Sequence, residues 1–320
     1  MSRGLLFALI GGIASAVLSI GSFGPAPVLA IGLWLGSTLA SISAAIAALL
    51  VLVGFNSLNS LAYIAATAIP AMIIVRQALI SQPSAMPGKL DWYPPGLILG
   101  WLVAYGLIVL SLVTLYFALA TDGLQAASHA VLREIFSHLI QQSGMSTGAG
   151  AAGAQMSDVP EILARQLAPV LPGMLLAGSL LILIPNATIT QGVLARTGYA
   201  MRPSPAYAAL ELPRWLAGAL ALALVVTLLP GAAGGFGRNA ALLLSTPFLL
   251  VGLAVIHTLS RRAPKPGSVL GAFYVGLFLA GILLGLAIPL LALIALLGIV
   301  EQFFSLRHRL GGTGANQEDE

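Results

Sequence analysis

The sequence predicts an all-α polytopic transmembrane helical bundle. It has about ten crossings if two long apolar stretches are short-helix hairpins, and eight if each is a single helix. Three observations carry this. Fifty-eight per cent of the chain is apolar and only 8% is charged, whereas a soluble domain carries about 25% charged residues. The charges fall in the gaps between long apolar runs. Those runs are long and lack the alternation of barrel strands.

Taken in order, the chain opens on Arg3 and an apolar run in which Ala14-Ser15-Ala16 mimics a signal-peptide cleavage site. Many further spans follow, so this segment is read as an uncleaved first transmembrane helix. The clear apolar segments are Leu5–Ile20, Leu61–Ile80, Leu97–Ala120, Leu171–Thr190, Trp215–Leu229, Ala240–Leu259 and Val269–Ala287. Pro27–Phe55 and Ser268–Phe304 are the two longer stretches, the second with Pro289 in its middle. As one helix, Pro27–Phe55 would be roughly 44 Å long at about 1.5 Å per residue, against a hydrocarbon core of about 30 Å.

Charge favours the hairpins. With ten crossings and a cytoplasmic N-terminus, Arg3, Arg76, Lys89, Arg196, Arg202, Arg214, Arg261, Arg262, Lys265, Arg307 and Arg309 lie inside. Only Arg133, Arg165 and Arg238 lie outside, which accounts for all 14 basic residues. With eight crossings the best orientation leaves Arg3, Arg133, Arg165, Arg238, Arg307 and Arg309 outside. The positive-inside rule selects the first arrangement, with both termini cytoplasmic.

Residues 1–310 read as a single transmembrane domain with an outer amphipathic loop at 121–168, and 311–320 as a disordered acidic tail. In the loop, Leu124, Val131, Ile135, Phe136 and Leu139 recur at helical spacing, with Arg133, Glu134 and Gln141 off that face. A Gly/Ala/Ser linker follows. Asp158 and Glu161 then have capping-box spacing, with Pro160 in the first turn of a second amphipathic helix, Val159–Val170. Both helices are expected along the outer membrane interface.

Net charge is +4 with a pI near 9.7, but the basic residues sit at span ends. They read as membrane orientation rather than as a nucleic-acid footprint. The absence of cysteine excludes a disulfide framework, thiolate catalysis and Cys-ligated zinc. His129 and His138 flank Glu134 at a separation wrong for an HExxH metal pair. The chain has no HExxH, GxSxG or P-loop motif and no intramembrane aspartate pair, so neither an enzyme nor a bound cofactor is expected. Glu301 comes closest to an intramembrane carboxylate, at the very end of the last span.

Two groups of residues are candidates for function. Polar side chains cluster at two span edges: Asn56, Ser57, Asn59 and Ser60, and then Asn186, Thr188, Thr190 and Gln191 just after Pro185. Asn56, Asn59, Asn186, Thr190 and Gln191 could hold a solute where a proline frees backbone carbonyls. Interhelical hydrogen bonding is the alternative. The first helix carries Gly4, Ala8, Gly12 and Ala16, a stripe of small residues every fourth position. Such a stripe lets backbones approach closely in lipid; it would dock a partner subunit or pack within the chain. Gly32/Gly36, Gly96/Gly100 and Gly281/Gly285 repeat the spacing and read as packing. Arg76, near a span end, can extend to the interface, and His257 reads as a hydrogen-bonded structural residue. Glu211 and Arg214 flank Pro213, which suits a helix's first turn. They are expected to begin the seventh span near Leu212 and to pair locally, or to meet a partner.

Glu211-Leu-Pro-Arg-Trp-Leu216, together with the ending Leu296-Leu-Gly-Ile-Val-Glu-Gln-Phe-Phe-Ser-Leu-Arg307-His-Arg309, resembles the YybS-like family of bacterial membrane proteins. That family is in turn distantly similar to the substrate-binding S components of energy-coupling-factor transporters. Those pair a small-residue first helix with a short, abrupt second one. Here Gly4, Ala8, Gly12 and Ala16 match the first feature, and Pro27–Gly36 followed by Ser37–Gly54 the second. The chain departs from S components in its extra spans and long outer loop.

The resemblance implies a bacterial inner-membrane protein that acts as a solute-binding or transport-associated subunit. Its expected partners are the lipid bilayer, a small-molecule solute and a membrane coupling subunit. A non-transporting scaffold that recruits other membrane proteins is the alternative. A ligand cavity favours the first and a filled core the second.

Overall fold

The computed structural model describes residues 2–19, 21–86, 88–120, 123–142, 158–205, 210–283 and 285–307. The described residues fold into α1 (Arg3–Leu18), α2 (Pro25–Leu35), α3 (Ser37–Gly54), α4 (Ser57–Tyr63), α5 (Ile69–Ala78), α6 (Pro95–Ala120) and α7 (Leu124–Gln142). They continue with α8 (Val159–Leu167), α9 (Leu171–Thr197), α10 (Trp215–Val226), α11 (Gly231–Ser260), α12 (Pro266–Leu283) and α13 (Ala287–Phe304). A short antiparallel ribbon, β1 (Ser81–Pro83) and β2 (Leu90–Trp92), pairs Ser81 with Trp92.

Six helical segments are long and apolar enough to cross a bilayer: Ser37–Gly54, Ser57–Ala78, Pro95–Ala120, Val159–Thr197, Gly231–Ser260 and Ala287–Phe304. Arg3–Leu18, Pro25–Leu35, Trp215–Val226 and Pro266–Gly281 are shorter apolar helices. The protein is an all-α polytopic membrane protein. The Gly/Ala/Ser linker and the acidic tail lie outside the described residues.

Both long apolar stretches are broken into two helices. Gly36, at φ 99°, separates α2 from α3. Only glycine takes this conformation without strain. At 11 residues, α2 is about 16 Å long, well short of a bilayer's hydrocarbon thickness. The second break falls at Gly285, φ 66°, where the Leu286 amide donates to the Ala280 carbonyl at 3.2 Å. Pro289 therefore lies in the first turn of α13, where its missing N–H is no loss.

The chain divides into two compact units. The first comprises Met1–Leu102, Leu180–Ala217 and Ser245–Glu320. In it, α1 packs on α3. A Cβ on Gly12 would sit 2.7 Å from both the Ile46 Cβ and the Ser43 carbonyl oxygen. Gly4 faces Leu39, and Gly11 faces Ile31 and Ser43.

The small-residue stripe is thus occupied by the chain's own helix: of the two readings, packing within the chain holds, and a face left free for a partner does not. Close backbone packing is the driving force for helix association in lipid, and a neighbouring helix is the nearest surface to satisfy it. The buried face continues through Ser15, whose hydroxyl donates to the Gly24 carbonyl at 2.6 Å and meets the Tyr63 hydroxyl at 2.7 Å. A five-residue π-turn, Ile64–Ala68, leads from α4 into α5.

At the other end of the same unit, α11 and α13 cross at backbone contact. A Cβ on Gly298 would run into the Phe248 carbonyl, and one on Gly252 into that of Ile294. Glu301 and Arg307 form a buried ion pair at 2.7 Å. Glu301 also accepts the Arg307 backbone N–H at 3.1 Å, and the Arg307 guanidinium donates to the Leu210 carbonyl at 2.8 Å.

The second unit comprises Val103–Ser179 and Gly218–Leu244. Here Gly237 packs on the chain at Val226–Thr227 and Gly173 on the Asn239 backbone. The Asn239 side chain accepts from the Gly173 amide at 2.6 Å and donates to the Pro169 carbonyl at 3.0 Å. These tight contacts explain why the glycine-rich run after Gly231 is helical rather than a loop.

Leu132 of α7 is buried against Ala164 and Ala168, with Phe136, Leu167 and Leu171 packed around it. Of the apolar face read from spacing, Phe136 belongs to this cluster, while Val131, Ile135 and Leu139 are exposed. The capping box does not form, since the Asp158 side chain does not cap α8. Glu161 turns instead to Arg165 at 2.7 Å, His129 at 3.3 Å and Arg133 at 3.6 Å.

Candidate functional site

A cavity of about 630 Å³ opens within the first unit, inside the range of about 300–1,000 Å³ usual for ligand pockets. Four helical faces build most of it. From α6 come Pro95, Ile98, Leu99 and Leu102; from α11 and the residue just after it come Leu250, Leu253, Ala254, His257, Thr258 and Arg261. Both sets recur at intervals of three and four, as one face of a helix requires. The α9 wall carries Ile184, Pro185, Thr188 and Gln191, and α5 contributes Ile74 and Ala78. Arg202, just beyond α9, and Tyr274 of α12 complete the polar lining.

The polar groups are held in defined positions. Gln191 is 4% exposed and donates through Nε2 to the Arg202 carbonyl at 2.8 Å. Its Oε1 is buried and has no hydrogen-bond partner among the described residues. Arg202 is buried. Its guanidinium donates to the Ala78 carbonyl at 3.0 Å and lies 5.6 Å from the centre of the Trp92 ring, within cation–π range.

The His257 Nδ1 lies 2.8 Å from the Leu253 carbonyl, so a proton on Nδ1 satisfies both groups. That leaves the neutral ring's Nε2 as an acceptor, 3.5 Å from the Tyr274 hydroxyl. Pro185 has no N–H for the preceding turn, yet α9 continues through it. Its neighbour Asn186 ties the same stretch down, donating to the carbonyls of Ile182 at 2.8 Å and Ser22 at 2.9 Å.

Of the candidate solute residues, the structure brings only Gln191 to the cavity wall. Thr188 of the same cluster joins it. Asn186 and Thr190 are buried elsewhere in the packing. Asn56 caps α4, its side chain accepting the Asn59 amide at 2.9 Å; both asparagines are exposed and neither lines the cavity.

The seventh span begins at Trp215 rather than near Leu212. No ion pair joins Glu211 to Arg214 among the described residues, and both are exposed. The reason is local. The Glu211 carbonyl packs against Gly96, and Pro213 against Gly100, so this segment is held extended on α6 instead of coiling into α10. The Gly96/Gly100 spacing is therefore the seat of a loop, not of a second helix.

Sequence reasoning missed Arg202, which it placed among the cytoplasmic loop cations. It missed the cavity roles of Ala254, Arg261 and Tyr274 as well. No sequence signal marked Arg202 as buried: its partner Trp92 lies far from it along the chain.

Long apolar helices, glycine-mediated backbone contacts and a cavity set among spans define an integral membrane protein with a candidate ligand site. The chain belongs to the family described as Predicted membrane protein (DUF2232), which matches residues 5–301. No curated protein and no solved structure matches it.

Proposed function

We propose that this integral membrane protein binds a solute in the α5–α6–α9–α11 cavity, as a solute-binding or transport-associated subunit of the bacterial inner membrane. The observation that carries this reading is the cavity itself, with the buried, partnerless Gln191 Oε1 in its wall. A buried acceptor without a partner costs about 1–3 kcal/mol, a cost that a ligand's donor removes. A scaffold that works only through its outer faces gains nothing from such a site.

The surrounding helices suit a protein that changes shape around a ligand. A π-turn lies just before α5, a proline within α9, and glycine breaks between α2 and α3 and between α12 and α13. Irregular helices of this kind line solute sites in membrane transporters. The resemblance to transporter S components supports the reading in the abrupt α2–α3 break. It gains nothing from the α1 stripe, which is covered. For a coupling partner, the exposed Glu211 and Arg214 side chains remain available. A cytoplasmic opening for the cavity is supported by the basic residues around its polar rim, on the positive-inside rule.

Native mass spectrometry of the detergent-solubilised protein tests the proposal. We expect a small-molecule adduct on the wild type that is lost from Ala254→Phe, which puts a phenyl ring into the cavity from its α11 wall. An adduct-free wild type, or adducts equal in both proteins, would remove the basis for a solute site.

A further inference from the structure

We infer that the cavity's ligand is an anionic amphiphile: a hydrocarbon tail bearing a phosphate or carboxylate head. This deepens, and rests on, the solute-binding reading above. The first argument is charge. Arg202 and Arg261 line the cavity, and no Asp or Glu is among the described residues that do. In a wall of low dielectric a net positive lining selects anions strongly. The carbonyl end of α11 opposes an anion, but its partial charge is smaller than the full charges of two guanidiniums.

The second argument is the order of residues along the wall. Along α11 and just past its end the lining runs from Leu250, Leu253 and Ala254 to His257, Thr258 and Arg261. That is a change from wholly apolar to polar over about 16 Å at about 1.5 Å per residue. The α9 wall changes in the same sense, from Ile184 to Thr188 and Gln191. A small polar metabolite would leave the apolar half of this slot unfilled, and a plain hydrocarbon would bury the guanidinium of Arg202 against oil. A molecule with one end of each kind satisfies both halves.

The third argument is placement. Arg202 is fixed by the Ala78 carbonyl and the Trp92 face, so its charge is oriented before a ligand arrives. Preorganised guanidinium groups suit carboxylate and phosphate oxygens.

The test uses the full-length protein in a neutral maltoside detergent, with binding read by native mass spectrometry. The probes are hexadecyl phosphate, palmitate, uncharged hexadecanol and tailless butyl phosphate. We expect the two charged long-chain probes to bind, and hexadecanol and butyl phosphate to bind at least about tenfold more weakly. Arg261→Gln, at an exposed position, should weaken hexadecyl phosphate about tenfold, as the loss of one charge-assisted contact does, and leave hexadecanol unchanged. Ala254→Phe should abolish specific binding.

The mass of the ligand carried from the membrane separates the sources: a phospholipid, a fatty acid or an alkyl phosphate each supports the inference. Probe binding indifferent to Arg261→Gln would overturn it as mere detergent-like adsorption. A neutral polar solute retained by the wild type and lost from Ala254→Phe would overturn the amphiphile but leave the solute-binding reading standing. No carried ligand and no probe response would remove both.

Discussion

At the scale of single residues, the first unit depends on a few positions where nothing larger or differently charged fits. Glu301 is 5% exposed and Arg307 13%, so their pair is shielded from water. Removing one member of a buried pair strands the other charge and costs about 3–5 kcal/mol. We expect Glu301→Ala to lower stability by about that much in a detergent unfolding assay. Glu301→Gln, which can still accept the Arg307 backbone N–H, should lose less. Equal unfolding curves for Glu301→Ala and wild type would show the pair to be dispensable. The sequence placed Glu301 at the end of the last span but could not show its partner. Arg307 reads from sequence as one more cytoplasmic cation, and only the left-handed turn at Ser305 (φ 49°) accompanies the chain's return onto the carboxylate.

At the scale of elements, the question was whether the small-residue face of α1 is a docking surface or an internal seam. It is a seam. Ala8, Gly11, Gly12 and Ser15 are buried, with Ile46 and the Ser43 carbonyl where a Gly12 side chain would go. Gly12→Leu should therefore destabilise the isolated protein by about 1–3 kcal/mol or more, as overpacking does, and this should appear as a lower unfolding midpoint. A variant that kept full stability and lost only a binding partner would restore the docking role. The spacing Gly4/Ala8/Gly12/Ala16 was legible in the sequence, but its two ends are only half-buried and the true face passes through Gly11 and Ser15. Four-residue spacing drifts around a 3.6-residue helix, and the neighbour decides where the contact is centred. The same limit applied to α7, where Leu132 rather than Val131 or Leu139 meets α8.

At the scale of the whole molecule, orientation is an expectation from the positive-inside rule: Arg133, Arg165 and Arg238 outside and the other basic residues inside. The natural chain has no cysteine, so single substitutions report without background. Cysteines at Ser22, Asn56 and Thr147 should label from outside the cell, and one at Gly311 only after permeabilisation. Outside labelling at Gly311 would reverse the assignment of the C-terminus and move the cavity's basic rim to the other face.

By itself the sequence determined the class of protein, because 58% apolar residues in long uninterrupted runs have no other solvent than lipid. Where the two longest runs break it left open between a hairpin and a single helix; the structure shows the breaks at Gly36 and Gly285, read from spacing as packing positions, where the backbone needs a residue without a Cβ. Which face of each helix turns inward was decided only by the tertiary structure. In a soluble protein the apolar face marks the inside. In a bilayer the lipid and the protein interior are equally apolar, so apolar periodicity no longer separates the two, and packing and hydrogen bonds choose instead. That is why Gln191, Arg202, His257 and Arg261, which the sequence spreads over two helix ends and two loops, could be recognised as one site only once the chain had folded around them.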